Sequence, residues 1–268
     1  MRLSSLGKAL VTGASAGIGA IYADRLAMRG YDLILVARNS RKLDGLAQQL
    51  RQKTGRAVEV VTADLNSKPD LRHVETLLRT DVRITALVNC AGASAAGSLL
   101  LSDIEQLNDM ITLNVTALTR LTHAALPGLV ARGGGTVINI SSVLGIMPEV
   151  LNGVYGGTKA FVLAFSLSLH KEFAGRNLRV QAVLPGVTAT GLWARIGVPV
   201  GLLPSEVVMQ ADDMVDAALA GLDQGEVVTI PSLPDAADWQ AYEAARRKLV
   251  PHLSRRIPAS RYRLGSAA

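Results

Sequence analysis

The stretch KALVTGASAGIG, residues 8–19, decides the fold of this chain. An apolar run predicts a strand over 8–12, glycines follow in a turn, and a helix is predicted over 17–29. Glycines in such a unit let backbone amides approach a pyrophosphate and point a helix N-terminus at it. The spacing G-x-x-x-G-x-G departs from the dinucleotide fingerprint G-x-G-x-x-G, so purely structural glycines are the alternative interpretation.

Strands and helices continue to alternate along the rest of the sequence. Strands are predicted over 8–12, 31–37, 57–63, 85–89, 135–141, 179–185 and 226–230. Helices are predicted over 17–29, 40–54, 69–80, 103–131, 154–174 and 212–223. Most of the strands are apolar throughout, which is typical of strands covered by helices on both faces. The pattern predicts an α/β fold: a Rossmann-type, doubly wound parallel sheet of about seven strands with helices on both faces.

The charge of the chain is concentrated at its end. We expect one domain over residues 1–231 and a short extension over 232–268, made of a helix and a basic tail. From Arg246 onward there are seven Lys and Arg residues and no acid. Removing these seven from the 28 basic residues leaves 21 against 22 acidic ones, so the high pI is mostly a tail property and nucleic-acid binding is not indicated. A solvated tail and a tail that docks an acidic substrate or partner both remain open.

The composition also bears on location and on metals. No apolar run of 18 residues is free of breakers or charges, so we expect no membrane span. The single cysteine, Cys90, excludes an intrachain disulfide and fits a cytoplasmic protein. The four histidines are scattered without ligand spacing, which predicts no metal site.

The residues that follow the second and third predicted strands indicate which cofactor binds. NAD-specific sites of this architecture place an acid after the second strand, whereas this chain has Arg38, which favours the 2′-phosphate of NADP. A solvent-facing arginine is the alternative. Asp64 and the Leu65 backbone follow the third strand and are placed to bind an adenine amino group. Asp64 could instead cap the next helix, although Ser67 and Asp70 are better positioned for that.

The sequence GVYGGTKAF, residues 153–161, puts Tyr155 and Lys159 on one helix face. The free side chains have pKa values of about 10 and about 10.4. The lysine charge, the helix N-terminus and the positive charge of an oxidised nicotinamide are together expected to lower the pKa of Tyr155 towards a useful range. A surface pair of little energy is the alternative. Gly156 and Gly157 each cost a helix about 1 kcal/mol relative to alanine, so we expect them to avoid crowding a cofactor or a neighbouring helix.

Seven motifs together resemble the classical short-chain dehydrogenase/reductase family over residues 6–230. They are TGASAGIG (12–19), ADL (63–65), NCAG (89–92), Asn114, NISS (139–142), YGGTK (155–159) and PGVTAT (185–190). Cys90 stands where the family has a second asparagine. The resemblance implies a one-domain Rossmann fold that uses a nicotinamide cofactor, commonly as a homodimer or homotetramer.

The resemblance also assigns the site. Its catalytic tetrad is matched by Asn114, Ser142, Tyr155 and Lys159, with Ser141 left to structure. It implies that Lys159 holds the nicotinamide ribose and that Asn114 carries a water. The cofactor contacts are then Gly13, Ser15, Gly17, Ile18, Gly19, Arg38, Asp64, Leu65, Asn89, Ala91, Gly92, Tyr155, Lys159, Pro185, Gly186, Thr188 and Thr190.

The predicted function is an NADP-dependent oxidoreductase that interconverts a carbonyl and an alcohol of a small molecule. The loops 93–100, 143–151 and 191–208 follow strand ends and are largely apolar, which favours a hydrophobic substrate. These loops could also form a lid packed on the body. The competing function is a catalytically silent NADP-binding sensor or scaffold of the same fold.

Overall fold

The computed structural model describes residues 6–195 and 197–262, without the side chain of Arg195. Position 196 of the predicted substrate loop and the end of the basic tail, 263–268, therefore lie outside the described residues. The chain divides into two compact units, one ending at Pro231 and the other beginning at Ser232.

The first unit is built on a parallel sheet of seven strands, which confirms the predicted fold class. Its strands follow the order β3-β2-β1-β4-β5-β6-β9. They are β1 (Lys8–Thr12), β2 (Asp32–Ala37), β3 (Val58–Thr62), β4 (Ile84–Asn89), β5 (Gly135–Ile140), β6 (Leu178–Val183) and β9 (Val228–Thr229). The strand order reverses between β1 and β4, and in such sheets ligands bind in the crevice at that point, beyond the carboxyl ends of the strands.

Helices cover both faces of the sheet, and most of its strands are therefore buried on both sides. They are α1 (Gly17–Met28), α2 (Ser40–Thr54), α3 (Lys68–Thr80), α4 (Ile104–Ile111), α5 (Leu118–Ala131), α6 (Gly153–Glu172), α7 (Leu192–Arg195) and α8 (Ala211–Asp223). One core cluster joins α1, α2 and α8 to the sheet through residues such as Tyr22, Leu43 and Met214. A second joins α3, α5 and α6 through Val74, Leu121 and Leu169.

Two features differ from the sequence prediction. The helix predicted over 103–131 is interrupted by a π-helical turn, Thr112–Ala117, between α4 and α5. The segment between β6 and α8 contains a two-stranded parallel pair, β7 (Thr188–Ala189) with β8 (Met209–Gln210). This pair closes the base of the loop 190–208 and brings both of its ends to one place.

Over its described residues, 232–262, the second unit contains one helix, α9 (Ala236–Lys248), followed by two short 3-10 turns. Asp235 caps α9 by accepting a hydrogen bond from the amide of Ala237, at 2.8 Å.

Candidate active site

The turn after β1 accepts only glycine at two of its positions. Gly13 has φ 67°, and a Cβ there would lie 2.9 Å from the backbone of Ala91. A Cβ on Gly19 would lie 2.4 Å from the carbonyl oxygen of Gly13. The Thr12 hydroxyl accepts hydrogen bonds from the amides of Cys90 and Ala91, at 3.0 Å each, and so ties the ends of β1 and β4 together.

The N-terminus of α1 is open to an anion. Its N-cap residue, Ala16, makes no side-chain hydrogen bond, and its first turn contains no acid. Five other helices are capped by a side-chain oxygen, from Asn39, Ser67, Asp103, Asn152 and Asp235. The uncapped amides and the helix dipole of α1 fit a phosphate group, so this turn suits the pyrophosphate of a dinucleotide.

Several predicted cofactor residues surround that turn. Ser15 and Ile18 are half-buried in it. Gly17 faces Thr190, since a Cβ on Gly17 would lie 3.4 Å from the Thr190 methyl group. Pro185, Gly186 and Thr188 follow β6, and the Thr188 hydroxyl donates to the carbonyl of Gly186 at 3.1 Å.

Arg38 and Asp64 lie side by side beyond β2 and β3. The Arg38 side chain is 74% exposed, and its Nη1 is 3.9 Å from Asp64 Oδ2. Asp64 is not the cap of α3, because that role belongs to Ser67. Leu65 is buried in the core. The pair therefore presents a guanidinium and a carboxylate at the rim of the crevice.

The Asn89 side chain is directed into the protein. Its Nδ2 donates to Thr122 Oγ1 at 3.0 Å and to Asn139 Oδ1 at 2.9 Å. Its predicted contact with a cofactor would therefore come from the backbone. Next in the chain, desolvation raises the pKa of the Cys90 thiol to about 12, which keeps it protonated at neutral pH.

Asn114 lies in the π-helical turn and fastens the loop after β4. Its Oδ1 accepts from the amide of Ala93, and its Nδ2 donates to the carbonyl of Ala93, both at 2.9 Å. Nδ2 also donates to Thr158 Oγ1 on α6, at 3.0 Å. A Cβ on Gly92 would lie 3.2 Å from Asn114 Oδ1 and 3.6 Å from Lys159 Nζ, so these two groups face the same point. The predicted water-carrying role stays a prediction.

Ser142, Tyr155 and Lys159 converge beyond the end of β5. The Tyr155 side chain is 8% exposed, and the Ser142 hydroxyl is close enough to lower the pKa of its phenol. Lys159 Nζ lies 5.7 Å from the centre of the Tyr155 ring and donates to the carbonyl of Ile140 at 2.9 Å. Ser141 instead donates to the Lys159 carbonyl at 2.7 Å, a structural contact.

Burial controls the titration of this pair in the protein alone. It raises the pKa of Tyr155 to about 12, an effect that the Ser142 hydrogen bond partly offsets. It lowers the pKa of Lys159 to about 8. In the protein without cofactor, the loss of hydration outweighs the favourable contacts. The expected lowering of the Tyr155 pKa includes the charge of the oxidised nicotinamide and stays a prediction.

Asn152, which the sequence analysis missed, fixes the start of α6. Its Oδ1 accepts from the amides of Val154 and Tyr155, at 3.0 and 3.4 Å. Its Nδ2 donates to the carbonyl of Gly97 at 3.1 Å, so it also holds the loop after β4. An asparagine directly before a predicted helix is a common N-cap, and that signal could have identified it.

The two glycines of α6 have different surroundings. A Cβ on Gly156 would lie 2.8 Å from Pro148 Cα and Cβ, so this glycine allows the segment 148–150 to pack on the helix. A Cβ on Gly157 would have no neighbour within 4 Å, and this glycine is exposed. The predicted reason, avoidance of crowding, therefore applies to Gly156, and what it avoids is a loop segment.

We expect alanine substitutions at these adjacent positions to have opposite effects. Gly156→Ala displaces Pro148 or α6 and lowers both stability and activity, because Tyr155 is the preceding residue. In the monomer, Gly157→Ala raises the free energy of unfolding by up to about 1 kcal/mol, since within one copy it only improves helix propensity. Urea unfolding of the two variants measures the difference. Equal destabilisation by both would contradict the packing described here.

Apolar side chains surround Tyr155. Leu107 and Met110 of α4 are buried against its ring, and a further set is packed around them: Ala93, Ala95, Leu144, Leu151 and Val154. In the loop 191–208, Trp193 Nε1 donates to the carbonyl of Thr188 at 2.9 Å, which ties the loop to β7. The phenol of Tyr155 and the hydroxyl of Ser142 therefore lie in apolar surroundings.

The chain belongs to the short chain dehydrogenase family, whose model matches residues 7–198. A solved structure of a short-chain dehydrogenase from Sphingobium yanoikuyae in complex with NADPH is similar, with 48% identity and a TM-score of 0.93 over 96% of this chain and 100% of that one. A bulky-bulky ketone specific alcohol dehydrogenase from Comamonas testosteroni has 40% identity and a TM-score of 0.89 over 97% and 99%.

Among curated proteins, the very-long-chain 3-oxoacyl-CoA reductase-B of Danio rerio is 36% identical over 197 residues, 72% of this chain. The match spans only 63% of that relative's length. Within 6–195 and 197–262, none of the helices has the length and apolar character needed to cross a bilayer. The same ranges contain no group of three or more His, Cys, Asp and Glu residues arranged to bind a metal ion.

Proposed function

We propose that this short-chain dehydrogenase is an NADP-dependent oxidoreductase that interconverts a carbonyl and an alcohol on a hydrophobic small molecule. The observation that carries the proposal is the burial of Ser142, Tyr155 and Lys159 together, with Lys159 Nζ 5.7 Å from the centre of the Tyr155 ring. A protein that only binds a cofactor has no need of this group, which counts against the silent sensor or scaffold.

Residues of the crevice would hold the cofactor. The open N-terminus of α1 would bind the pyrophosphate, Arg38 the 2′-phosphate, and Asp64 with the Leu65 backbone the adenine. Lys159 would hold the ribose, and Thr188 and Thr190 the carboxamide. When bound, NADPH supplies a hydride. The NADPH complex of the Sphingobium relative supports this choice of cofactor.

The chain's own residues would handle the proton. In carbonyl reduction, Tyr155 donates its phenolic proton to the carbonyl oxygen, and Ser142 donates a hydrogen bond to the same oxygen as charge develops there. The Lys159 ammonium then stabilises the phenolate left on Tyr155. Asn114 keeps the loop after β4 in place next to that ammonium.

The surroundings of Tyr155 favour a bulky ketone or its alcohol as the substrate. The apolar residues around Tyr155 offer hydrophobic contacts, and the Comamonas relative is specific for bulky-bulky ketones. The experiment is a screen of carbonyl compounds monitored through oxidation of NADPH. Turnover of ketones with large groups on both sides supports the proposal, and tight NADPH binding without turnover of any carbonyl contradicts it.

A substitution at Arg38 tests the proposed preference for NADPH over NADH. We expect Arg38→Leu to weaken NADPH binding by about 10- to 100-fold, the range for losing a hydrogen bond to a charged group, and to leave NADH binding unchanged. Titration of both cofactors measures the ratio, with Arg72→Leu, which removes an exposed charge on α3, as the control. An equal loss for both cofactors would contradict the assignment.

We also propose that the protein is a homodimer or homotetramer. The exposed residues of α6 from Gly153 to Ser168 include Gly157, Phe161 and Ala164 and carry no charge. Such a face suits a helix of a second copy, and sedimentation measures the assembly. A cytoplasmic location rests on the single cysteine and stays a prediction.

A further inference from the structure

The second unit exposes apolar residues that it cannot bury. Glu243 is the only buried residue among 232–262. Six large apolar side chains there are exposed, namely Tyr242, Leu249, Val250, Leu253, Ile257 and Tyr262. Units shorter than about 40 residues rarely form a sufficient core alone. A surface outside this unit is therefore needed to cover these side chains.

The same segment is strongly basic. We call residues 246–262 the basic arm; it contains six Lys and Arg residues and no acid. Arg246 and Arg247 form ion pairs with Glu243, at 2.8 and 3.7 Å. Arg255 and Arg256 lie further along the arm, between Leu253 and Ile257, and are exposed. The arm therefore combines apolar side chains with positive charge.

The first unit exposes a surface of the opposite charge. We call residues 98–111 the acidic face. Leu99, Leu100 and Leu101 are exposed there, Leu100 at 90%, and Ile104 and Ile111 are exposed on α4. Asp103, Glu105 and Asp109 lie among them, and the sequence from Ile84 to Thr119 contains no Lys or Arg. Solvent-exposed apolar patches rimmed by charge mark interaction sites.

We propose that the basic arm of one copy docks on the acidic face of a second copy of this chain. The two surfaces match in charge and in apolar character, and complementary potentials select partners. A second copy is the partner that the uncharged, exposed face of α6 already favours. An anionic membrane is a poorer partner, since Pro251 and Pro258 prevent the arm from forming the continuous amphipathic helix that lies in an interface.

An arm docked on the acidic face would lie next to the active site. The loop before this face is held to α6 by the hydrogen bond from Asn152 to the Gly97 carbonyl. Leu107 and Met110, on the inner side of α4, pack against Tyr155. A neighbouring arm therefore covers the outer side of the element whose inner side contacts the catalytic tyrosine, and we expect it to lower KM for apolar substrates.

The test reverses charge on each surface of the full-length protein. One variant carries Arg255→Glu and Arg256→Glu, and the other carries Glu105→Lys and Asp109→Lys. Hydrogen exchange of residues 98–111 and 249–262 reports docking. In each variant we expect the amides of both segments to exchange about tenfold faster than in the wild type, as expected for the loss of close charge pairs. The control, Arg72→Glu with Lys171→Glu, should exchange like the wild type.

Co-expression of the two variants separates the alternatives. Heteromers purified through two different tags should regain the protection. In them the reversed arm of one variant meets the reversed face of the other, and the two unchanged surfaces also meet. Docking within one chain would not be rescued. The proposal is overturned if the variants exchange like the wild type, if co-expression restores nothing, or if the wild type binds phosphatidylserine vesicles and gains protection only there. The inference rests on the proposed homo-oligomer, which sedimentation tests separately. None of these outcomes depends on turnover, so they are independent of the proposed catalytic activity.

Discussion

Replacing Tyr155 with phenylalanine is expected to lower kcat for carbonyl reduction by about 10²- to 10⁴-fold, the usual contribution of a positioned general acid. The ring keeps its packing against Leu107 and Met110, so the fold should be retained. NADPH affinity should change little, because the substitution removes only the hydroxyl. Steady-state kinetics and NADPH titration on the same preparation measure both quantities.

Tyr22 provides a matched control for this variant. It is also a buried tyrosine, 0% exposed, and its hydroxyl has no hydrogen-bond partner in the described structure. Removing an unpaired buried hydroxyl is close to neutral or stabilising. Tyr22→Phe should therefore keep full activity and at least wild-type stability. If Tyr155→Phe retained most of its kcat, or if both variants lost it equally, the acid role of Tyr155 would be wrong.

Replacing Lys159 with methionine is expected to have the second largest effect. The variant loses the charge beside Tyr155 and one donor at the crevice, and we expect kcat to fall by about 10²- to 10³-fold. NADPH binding should weaken as well, because Lys159 is proposed to hold the ribose. This joint loss distinguishes the variant from Tyr155→Phe, in which binding is retained.

The Lys159→Met variant is also expected to change how the free energy of unfolding depends on pH. Burial lowers the pKa of Lys159 to about 8 in the folded protein, from 10.5 in the unfolded chain. Between these values the unfolded chain binds more protons than the folded one, so this group makes the free energy of unfolding rise with pH. Lys159→Met removes that contribution. Tyr155 acts in the opposite direction above pH 10, since its pKa of about 12 lies above the unfolded value of 10.0.

Urea unfolding at several pH values from 7 to 10 checks this prediction, since that window lies mostly between the two lysine values. The wild type should gain more stability with rising pH than Lys159→Met. Lys171→Met, at an exposed position of the same helix, controls for the loss of a lysine as such. Identical pH dependence in the wild type and Lys159→Met would show that the Lys159 ammonium is better hydrated than its burial implies.

Local sequence signals were sufficient to predict the sheet and its helices. The strands are apolar in runs, and α2 and α3 have Asn39 and Ser67 as caps at their predicted starts. The glycine turn after β1 and the pair of Tyr155 and Lys159 on one helix face were also predictable, because each depends on the spacing of residues a few positions apart. These features depend on neighbouring residues in the chain, which is why the sequence reports them.

Features that depend on distant contacts were not predictable in this way. The π-helical turn holds Asn114 against Ala93 and Thr158, and residue periodicity carries no information on that contact. Gly156 is required by Pro148, which is known only once the loop is folded. The burial that raises the pKa of Tyr155 in the protein without cofactor was not predictable for the same reason, because it is a property of all the loops around the ring.

The short ladder between β7 and β8 makes the loop 190–208 an exchangeable module. Thr188 and Ala189 pair with Met209 and Gln210, so the chain leaves the crevice and returns to it at one point. When both ends of an excursion are already fixed together, its length and composition can vary at a small cost in closure entropy. Transplanting residues 191–208 of this module from a relative, with Thr190 retained, is therefore a direct route to a new substrate range on an unchanged dinucleotide scaffold.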